Sequence, residues 1–194
     1  MDIVIHRVNT IEKLETISVT YGCEIDIRAN GSRLILNHEP FMDGENLTDF
    51  LDNYKHGLLV LNIKEAGIED TVLQEVRTRG IDCYFLLDVE FPYIYQATRA
   101  GEQAIAMRYS EDESIETVLK YKGMVDWVWI DTNTCLPLDK DIVDKLSMFK
   151  TCLVCPERWG RPDDIKTYLA YLKNLNMEID AVMTSIRYAE RWLV

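Results

Sequence analysis

The sequence lacks several features that would place it in a specialised class of proteins. No apolar run approaches the ~20 residues that a membrane-spanning helix needs, and the first residues lack the basic and apolar segments of a signal peptide. Gly and Pro contribute only 9 and 5 of the 194 residues, which excludes a low-complexity chain. We therefore expect a globular, cytoplasmic protein that is not inserted in a membrane.

Positive charge is also scarce. Lys and Arg number 21 against 33 Asp and Glu, which gives a formal net charge of −12. Proteins whose main role is to bind nucleic acid need a basic surface that displaces counterions, so the charge disfavours that role. A small anionic substrate stays open, because it needs only a local cluster of cations.

Cysteine is present without the pattern of a metal or disulfide site. The chain has 5 cysteines, an odd number that fits a reducing compartment. Cys152 and Cys155 form a CxxC within a strand-like run, where this spacing sends the two side chains to opposite faces. No second pair in the sequence completes a zinc site, so we expect buried cysteines.

Strand-like and helix-like segments alternate along the whole chain. With a hairpin arm at 33–38 set aside, they form eight strand–helix pairs at a spacing of about 24 residues. The predicted strands are 3–5, 23–28, 58–63, 83–87, 104–107, 127–130, 151–155 and 179–183, and the predicted helices are 10–19, 47–54, 68–79, 92–99, 114–121, 139–149, 163–175 and 185–192. This alternation favours a parallel sheet, and eight units favour a compact (β/α)₈ TIM-type barrel.

The barrel would be a single α/β domain over residues 1–194. An open, doubly wound sheet is the alternative architecture. No GxGxxG or P-loop sequence follows any predicted strand, which weakens the nucleotide-binding version of that alternative.

Polar residues end nearly every predicted strand. The working face of such a barrel lies at the C-terminal ends of its strands. These ends carry His6-Arg7, Glu24 to Arg28, Asn62 to Lys64, Asp88, Arg108, Asp131 and Glu157. One polar strand end would be ordinary, but a ring of interleaved cations and carboxylates indicates a functional site.

The densest cluster lies on the second predicted strand. Glu24, Asp26 and Arg28 alternate with apolar residues and therefore point to one face. Two carboxylates about 7 Å apart along a strand can jointly ligate a hard divalent cation. An internal ion-pair network with Arg28 is the alternative. His6 and His38 lie at neighbouring strand ends, and imidazole titrates near neutrality, which favours proton transfer.

Four motifs follow one another within roughly the first 65 residues. They are His6-Arg7, Glu24-Ile-Asp26, Asn37-His38-Glu39-Pro40 and Leu61-Asn62-Ile63-Lys64. In order and spacing they resemble the glycerophosphodiester phosphodiesterase family and its phosphatidylinositol-phospholipase-C-like superfamily. The rest of the chain resembles that family only in its predicted architecture.

The resemblance implies a role for each matching residue. Glu24, Asp26 and Asn62 would hold a divalent cation, Mg²⁺ or Ca²⁺. His6 and His38 would form the acid–base pair. Arg7 and Lys64 would face the phosphate, and Arg108, at the end of the fifth predicted strand, is a further candidate for phosphate contact.

The chain departs from the family pattern most clearly in the fourth motif, on the third predicted strand. The family has a metal-ligating Glu where this sequence has Asn62. An amide oxygen can ligate a hard cation but carries no charge, so we expect weaker metal binding unless Asp88 or Asp131 compensates. The family's His-Asp pair reads His38-Glu39 here, which is a milder change.

Two further stretches have both a structural and a functional interpretation. Trp127 and Trp129 share a strand face with Asp131, and core packing is favoured over a substrate platform. The loop 157–162 could contact phosphate or sugar, or it could be an ordinary ion-paired loop. His56, before the third predicted strand, is expected at the surface.

The sequence thus predicts a metal-assisted phosphodiesterase. Its substrate would be a small anionic glycerophosphodiester- or sugar-phosphodiester-like compound, cleaved by two-histidine acid–base catalysis. One alternative is a catalytically degenerate barrel that binds a sugar phosphate or nucleotide sugar. Another is a phospholipase-C-like lyase that yields a cyclic phosphate. The sequence does not indicate an oligomeric state.

Overall fold

Residues 1–193 are described by a computed structural model, and their contacts divide them into two units. The N-terminal unit comprises residues 4–95, and the C-terminal unit comprises residues 1–3 together with those from 96 onward. No helix among residues 1–193 is long and apolar enough to cross a membrane. The single-domain organisation stays a prediction.

The N-terminal unit is built on parallel strands connected by helices. Its strands are the second half of β1 (Asp2–Ile5), β2 (Gly22–Asn30), β3 (Arg33–Leu36), β4 (Glu45–Asn46), β5 (Leu59–Ile63) and β6 (Tyr84–Leu87). The unit begins at Val4, within β1. Its helices are α1 (Ile11–Glu15), α2 (Leu47–Asp52), α3 (Glu69–Thr78) and the first part of α4 (Phe91–Arg99). β2 pairs in parallel with β1 and β5, and β5 pairs in parallel with β6. The predicted hairpin arm is present as β3, which runs antiparallel to β2 and pairs with β4.

The pleat of β2 separates an apolar face from a carboxylate face. Ile25 and Ile27 are buried on one side of the strand, and Glu24 and Asp26, also buried, lie on the other. The parallel register with β5 places Asp26 beside Asn62. Strand pairing therefore brings together residues that are separated by 36 positions in the sequence.

Helix α1 begins as predicted but ends early. The side chain of Thr10 accepts a hydrogen bond from the backbone N–H of Lys13, which caps the helix. The N–H groups of Thr16 and Ile17 then bond to carbonyls three residues earlier, so the last turn tightens and the helix stops at Glu15. The predicted end at residue 19 is wrong for this reason.

The C-terminal unit repeats the strand–helix alternation. Its elements are β7 (Ala106–Tyr109), α5 (Ile115–Leu119), β8 (Trp127–Ile130), α6 (Lys140–Leu146), β9 (Lys150–Val154), α7 (Asp164–Asn174) and β10 (Ala181–Thr184). The four strands pair in parallel in the order β7, β8, β9, β10. Within this unit the N–H of Asp2 donates to the carbonyl of Asp180 at 2.6 Å. Two 3₁₀ helices, Pro156–Trp159 and Ile186–Trp192, complete it, so the closing segment predicted as a helix takes the 3₁₀ form.

Two sequence features with alternative interpretations lie in the C-terminal unit, the tryptophan pair of β8 and the loop 157–162, and the structure shows the surroundings of both. Trp127 and Trp129 are buried, as core packing requires. Cys152 and Cys155 are likewise buried. In the loop 157–162, the Arg161 guanidinium donates to the Asp164 carboxylate and the Tyr168 hydroxyl as well as to backbone carbonyls, which is the pattern of an ion-paired structural loop.

Candidate active site

Two buried carboxylates on β2 form the centre of the candidate site in the N-terminal unit. Glu24 is 1% exposed and Asp26 is 0% exposed. Glu24 Oε2 accepts the backbone N–H of Arg7 at 2.7 Å, and Oε1 accepts Asn62 Nδ2 at 2.7 Å. Burial, and then the neighbouring charge of Asp26, raise the pKa of Glu24 above its usual range. A nearby cation would relieve this repulsion.

The turn after β1 carries His6 and Arg7. Arg7 has a φ of 53°, a left-handed conformation that is uncommon outside glycine, and its N–H faces Glu24. His6 Nε2 lies 3.9 Å from Glu24 Oε2. From helix α1, the ammonium of Lys13 donates to the carbonyls of His6 at 3.0 Å and Arg7 at 2.7 Å. Lys13 therefore holds the strained turn in place.

Two cations converge on Asp26. Lys64 follows β5 directly, and its Nζ lies 3.4 Å from Asp26 Oδ1 and 3.0 Å from Asp88 Oδ2. Arg7 Nε lies 4.0 Å from Asp26 Oδ2, beyond hydrogen-bonding distance, and is buried with no hydrogen-bond partner in the described part of the chain. Buried N–H groups usually have a hydrogen-bond acceptor, and an anionic ligand could supply one here.

His38 lies two residues beyond β3 and pairs with its neighbour Glu39. The distance from His38 Nδ1 to Glu39 Oε1 is 2.7 Å. An ionised carboxylate only accepts, so the tautomer that fits carries its proton on Nδ1 and leaves Nε2 for proton transfer. The hydrogen bond from His38 lowers the pKa of Glu39.

Within residues 1–193, Arg28 does not form the ion-pair network that was the alternative interpretation of this strand. Its guanidinium donates to the backbone carbonyls of His38 and Lys64. The cations beside the two carboxylates are instead Lys64, which is paired with Asp26, and the more distant Arg7.

The oxygen atoms around Asp26 fit a hard divalent cation. Asp26 Oδ1 and Asn62 Oδ1 are both buried, and neither accepts a hydrogen bond from any residue that the structure describes. Their residues are register neighbours on β2 and β5. Carboxylate and amide oxygens are the donors that Mg²⁺ and Ca²⁺ take in proteins. Among residues 1–193 no group of three or more His, Cys, Asp or Glu is placed to hold a metal ion. A cation held beside Asp26 and Asn62 would therefore have an amide oxygen among its donors.

The two acidic residues that could replace the missing third carboxylate are already paired with cations. Asp88 accepts from Lys64 in the N-terminal unit. Asp131 lies in the C-terminal unit, where it forms an ion pair with Arg108. The phosphate-binding role of Arg108 stays a prediction.

Sequence reasoning missed Asn9, Lys13 and the role of Glu39. Asn9 exchanges two hydrogen bonds with Asp26. Its Nδ2 donates to Oδ2 at 2.8 Å, and its Oδ1 accepts the Asp26 N–H at 2.9 Å. The position of Asn9 could have indicated its role, because it is a polar residue in the loop after β1. That loop lies at the strand ends, where the site was expected.

Comparison with known proteins yields matches of structure but not of sequence. No protein-family profile matches the chain, and no curated protein sequence matches it. A protein from Agrobacterium tumefaciens assigned as a glycerophosphoryl diester phosphodiesterase superimposes with a TM-score of 0.71 at 9% identity, over 98% of this chain and 96% of that one. A glycerophosphodiester phosphodiesterase from the same organism gives 0.69 at 12% identity, over 100% of both chains.

A third solved structure is also similar. It is a phosphodiesterase from Oleispira antarctica in complex with its product sn-glycerol-3-phosphate, with a TM-score of 0.65 and 15% identity over 100% of this chain and 95% of that one. Identities this low establish the fold alone. Because the glycerophosphodiester phosphodiesterases are TIM barrels, the likeness confirms the predicted α/β, TIM-type fold.

Proposed function

We propose that the protein is a metal-assisted phosphodiesterase that hydrolyses a small glycerophosphodiester-like substrate. The observation that carries the proposal is the buried Glu24–Asp26 pair at the centre of the candidate site. His6 and Arg7 adjoin it from the end of β1, and Lys64 from the end of β5. This set of groups can bind a phosphodiester and move protons.

Glu24, Asp26 and Asn62 are the residues that would hold Mg²⁺ or Ca²⁺. Asp26 Oδ1 and Asn62 Oδ1, which accept no hydrogen bond from residues 1–193, support this assignment. When bound, the ion supplies positive charge that lowers the cost of charge growing on the phosphoryl oxygens.

Arg7 and Lys64 would bind the phosphate. The buried Nε–H of Arg7 has no acceptor among residues 1–193. Lys64 is held by Asp26 and Asp88, and its side chain keeps 15% of its surface exposed, so the ammonium is fixed in position yet reachable. Fixed donors of this kind stabilise a developing anion without having to reorganise.

The two histidines would transfer the protons of hydrolysis. One imidazole takes a proton from the attacking water as the new P–O bond forms. The other gives a proton to the alcohol oxygen as the P–O bond to the leaving group breaks. His6 Nε2 lies 3.9 Å from Glu24 Oε2, and Glu39 would orient His38. Each transfer typically contributes about 10²- to 10⁴-fold in rate.

The structural likeness supports the proposed substrate class. The Oleispira antarctica phosphodiesterase binds sn-glycerol-3-phosphate as its product. By analogy we assign this chain a glycerophosphodiester-like or sugar-phosphodiester substrate, which it would cleave to a phosphomonoester and an alcohol.

A second candidate function is ligand binding without catalysis. The hydrogen bond from Asn62 Nδ2 to Glu24 Oε1 favours it, because an amide occupies the position of a third carboxylate and satisfies one Glu24 oxygen. Calorimetric titration with Mg²⁺ and Ca²⁺ separates the two functions. Ligand binding without catalysis is supported if no heat of metal binding is detected, with or without a phosphodiester present.

The catalytic proposal is tested by replacing each histidine. His6→Ala and His38→Ala should each lower kcat on a glycerophosphodiester by at least about 10²-fold. His56→Ala is the matched control, because His56 contacts the Ile17 carbonyl and lies outside the candidate site. Circular dichroism checks that all variants fold. Normal turnover by both His6→Ala and His38→Ala would contradict the proposal.

A further inference from the structure

Arg28 uses its guanidinium group on two loops at once. Its Nε and Nη2 both donate to the carbonyl oxygen of His38, at 3.2 and 3.0 Å. Its Nη1 donates to the carbonyl oxygen of Lys64 at 3.1 Å. Both acceptors belong to residues to which we assign a part in the proposed reaction.

These three bonds adjoin, along the two loops, the backbone hydrogen bonds by which the loops after β3 and β5 pair with β2. On one side the N–H of Asn37 donates to the carbonyl of Asp26, and on the other the N–H of Lys64 donates to the carbonyl of Ile27. The guanidinium of Arg28 takes up the carbonyls that follow, those of His38 and Lys64. One side chain thus ties the loop after β3 to the loop after β5.

We propose that Arg28 is a positioning residue that fixes the backbone of His38 relative to Lys64. This inference rests on the proposed function, in which His38 moves a proton and Lys64 binds phosphate. Arg28 does not need to touch the substrate, since three of its five N–H donors are already bonded to carbonyls.

The planar geometry of the guanidinium explains why the residue is an arginine. A guanidinium presents its donors in a rigid fork and can serve two acceptors on different sides. An ammonium is a single point of charge on a flexible stem, so a lysine at this position would keep the charge and lose the fixed spacing between the two carbonyls.

Kinetics of Arg28→Met and Arg28→Lys test the inference. Loss of registration between a catalytic group and the bound phosphate should lower kcat by about 10- to 100-fold, because a displacement near 1 Å can cost that much. We expect KM to change by less than about twofold, because the phosphate-binding groups remain. Arg28→Lys should stay at least about 10-fold below the wild type, since the fork and not the charge is required.

Arg33→Met is the matched control. Arg33 lies on the same hairpin and pairs with Asp43 at 3.0 Å, away from the two carbonyls. It should retain wild-type kcat. Wild-type kcat for Arg28→Met, or for Arg28→Lys, would overturn the positioning role. Rates are compared per folded molecule, with the folded fraction taken from thermal unfolding.

Amide hydrogen exchange followed by NMR separates a failure of this inference from a failure of the proposed function. In Arg28→Met the amides of Asn37 and Lys64 should exchange at least about 10-fold faster, because the loops beyond them are released. Unchanged exchange at both amides would overturn the inference whether or not the protein is an enzyme. Faster exchange in a protein without phosphodiesterase activity would support the tether and refute the proposed function alone.

Discussion

Asn62 and Glu24 are joined by a hydrogen bond of 2.7 Å in which the side-chain amide donates to carboxylate Oε1. The bond fixes the orientation of the amide and leaves Asn62 Oδ1 buried without a donor. Because Asn62 is neutral, the site also carries less negative charge than it would with a third carboxylate beside Glu24 and Asp26. The folded site should therefore tolerate the absence of a divalent cation better than a site with three carboxylates.

Replacing Asn62 by Glu should make folding depend more strongly on divalent cations. A third buried carboxylate would repel Glu24 and Asp26, so the variant should be less stable than the wild type in a chelator. Excess Mg²⁺ should raise its Tm more than that of the wild type, equivalent to about 1–3 kcal/mol of added stability. Thermal unfolding with and without Mg²⁺ measures this difference.

The exposed Asn174 on α7 provides the control for that experiment. Asn174→Glu adds the same charge away from the site, so its response to Mg²⁺ should match the wild type. An equal Mg²⁺ response in Asn62→Glu and Asn174→Glu would contradict the metal assignment.

Replacing Lys13 by Met should loosen the turn that carries His6 and Arg7. The variant removes two hydrogen bonds to backbone carbonyls and should lower the free energy of unfolding by about 1–3 kcal/mol. Urea unfolding measures the loss, and Lys55→Met, at an exposed position, should have little effect. Equal stability of the two variants would show that Lys13 does not hold the turn.

Glu111 should make stability depend on pH in the acid range. Partial burial raises its pKa, but hydrogen bonds from the backbone N–H groups of Thr134 and Cys135 outweigh this and lower the pKa to about 2. Between that value and the ordinary 4.5, the unfolded chain binds a proton that the folded chain does not, so stability falls as pH falls.

Glu111→Gln should remove this contribution. From about pH 5 to pH 2 its free energy of unfolding should decline less steeply than that of the wild type. Glu15→Gln, an exposed substitution on α1, should leave the wild-type slope unchanged. Parallel pH curves for wild type and Glu111→Gln would contradict the assigned pKa.

The strands could be predicted because burial leaves a direct pattern in the sequence. The run from Trp127 to Ile130 was predicted with its observed bounds, and β5 differs from its prediction by one residue. Alternation along β2 also placed Glu24 and Asp26 on one face, as the structure has them. These features depend on side-chain polarity alone.

Bonds from side chains to the backbone could not be predicted in the same way. Arg28 and Lys13 both donate to main-chain carbonyls, and no residue type marks which carbonyl will lie within reach. His56 was expected at the surface, yet it is half-buried with Nε2 at 3.1 Å from the Ile17 carbonyl. Such partners are set by the paths of loops, which the sequence pattern does not specify.

Phosphorus NMR of a glycerophosphodiester, incubated with the wild-type protein and Mg²⁺ or Ca²⁺ in ¹⁸O-enriched water, is the most direct test of the proposed hydrolysis. Hydrolysis should give a phosphomonoester whose signal carries the isotope shift of one incorporated ¹⁸O, and His38→Ala should give no such product. A cyclic phosphate without ¹⁸O would identify a lyase instead. Unchanged substrate across a panel of glycerophospho- and sugar-phosphodiesters would contradict the proposed activity.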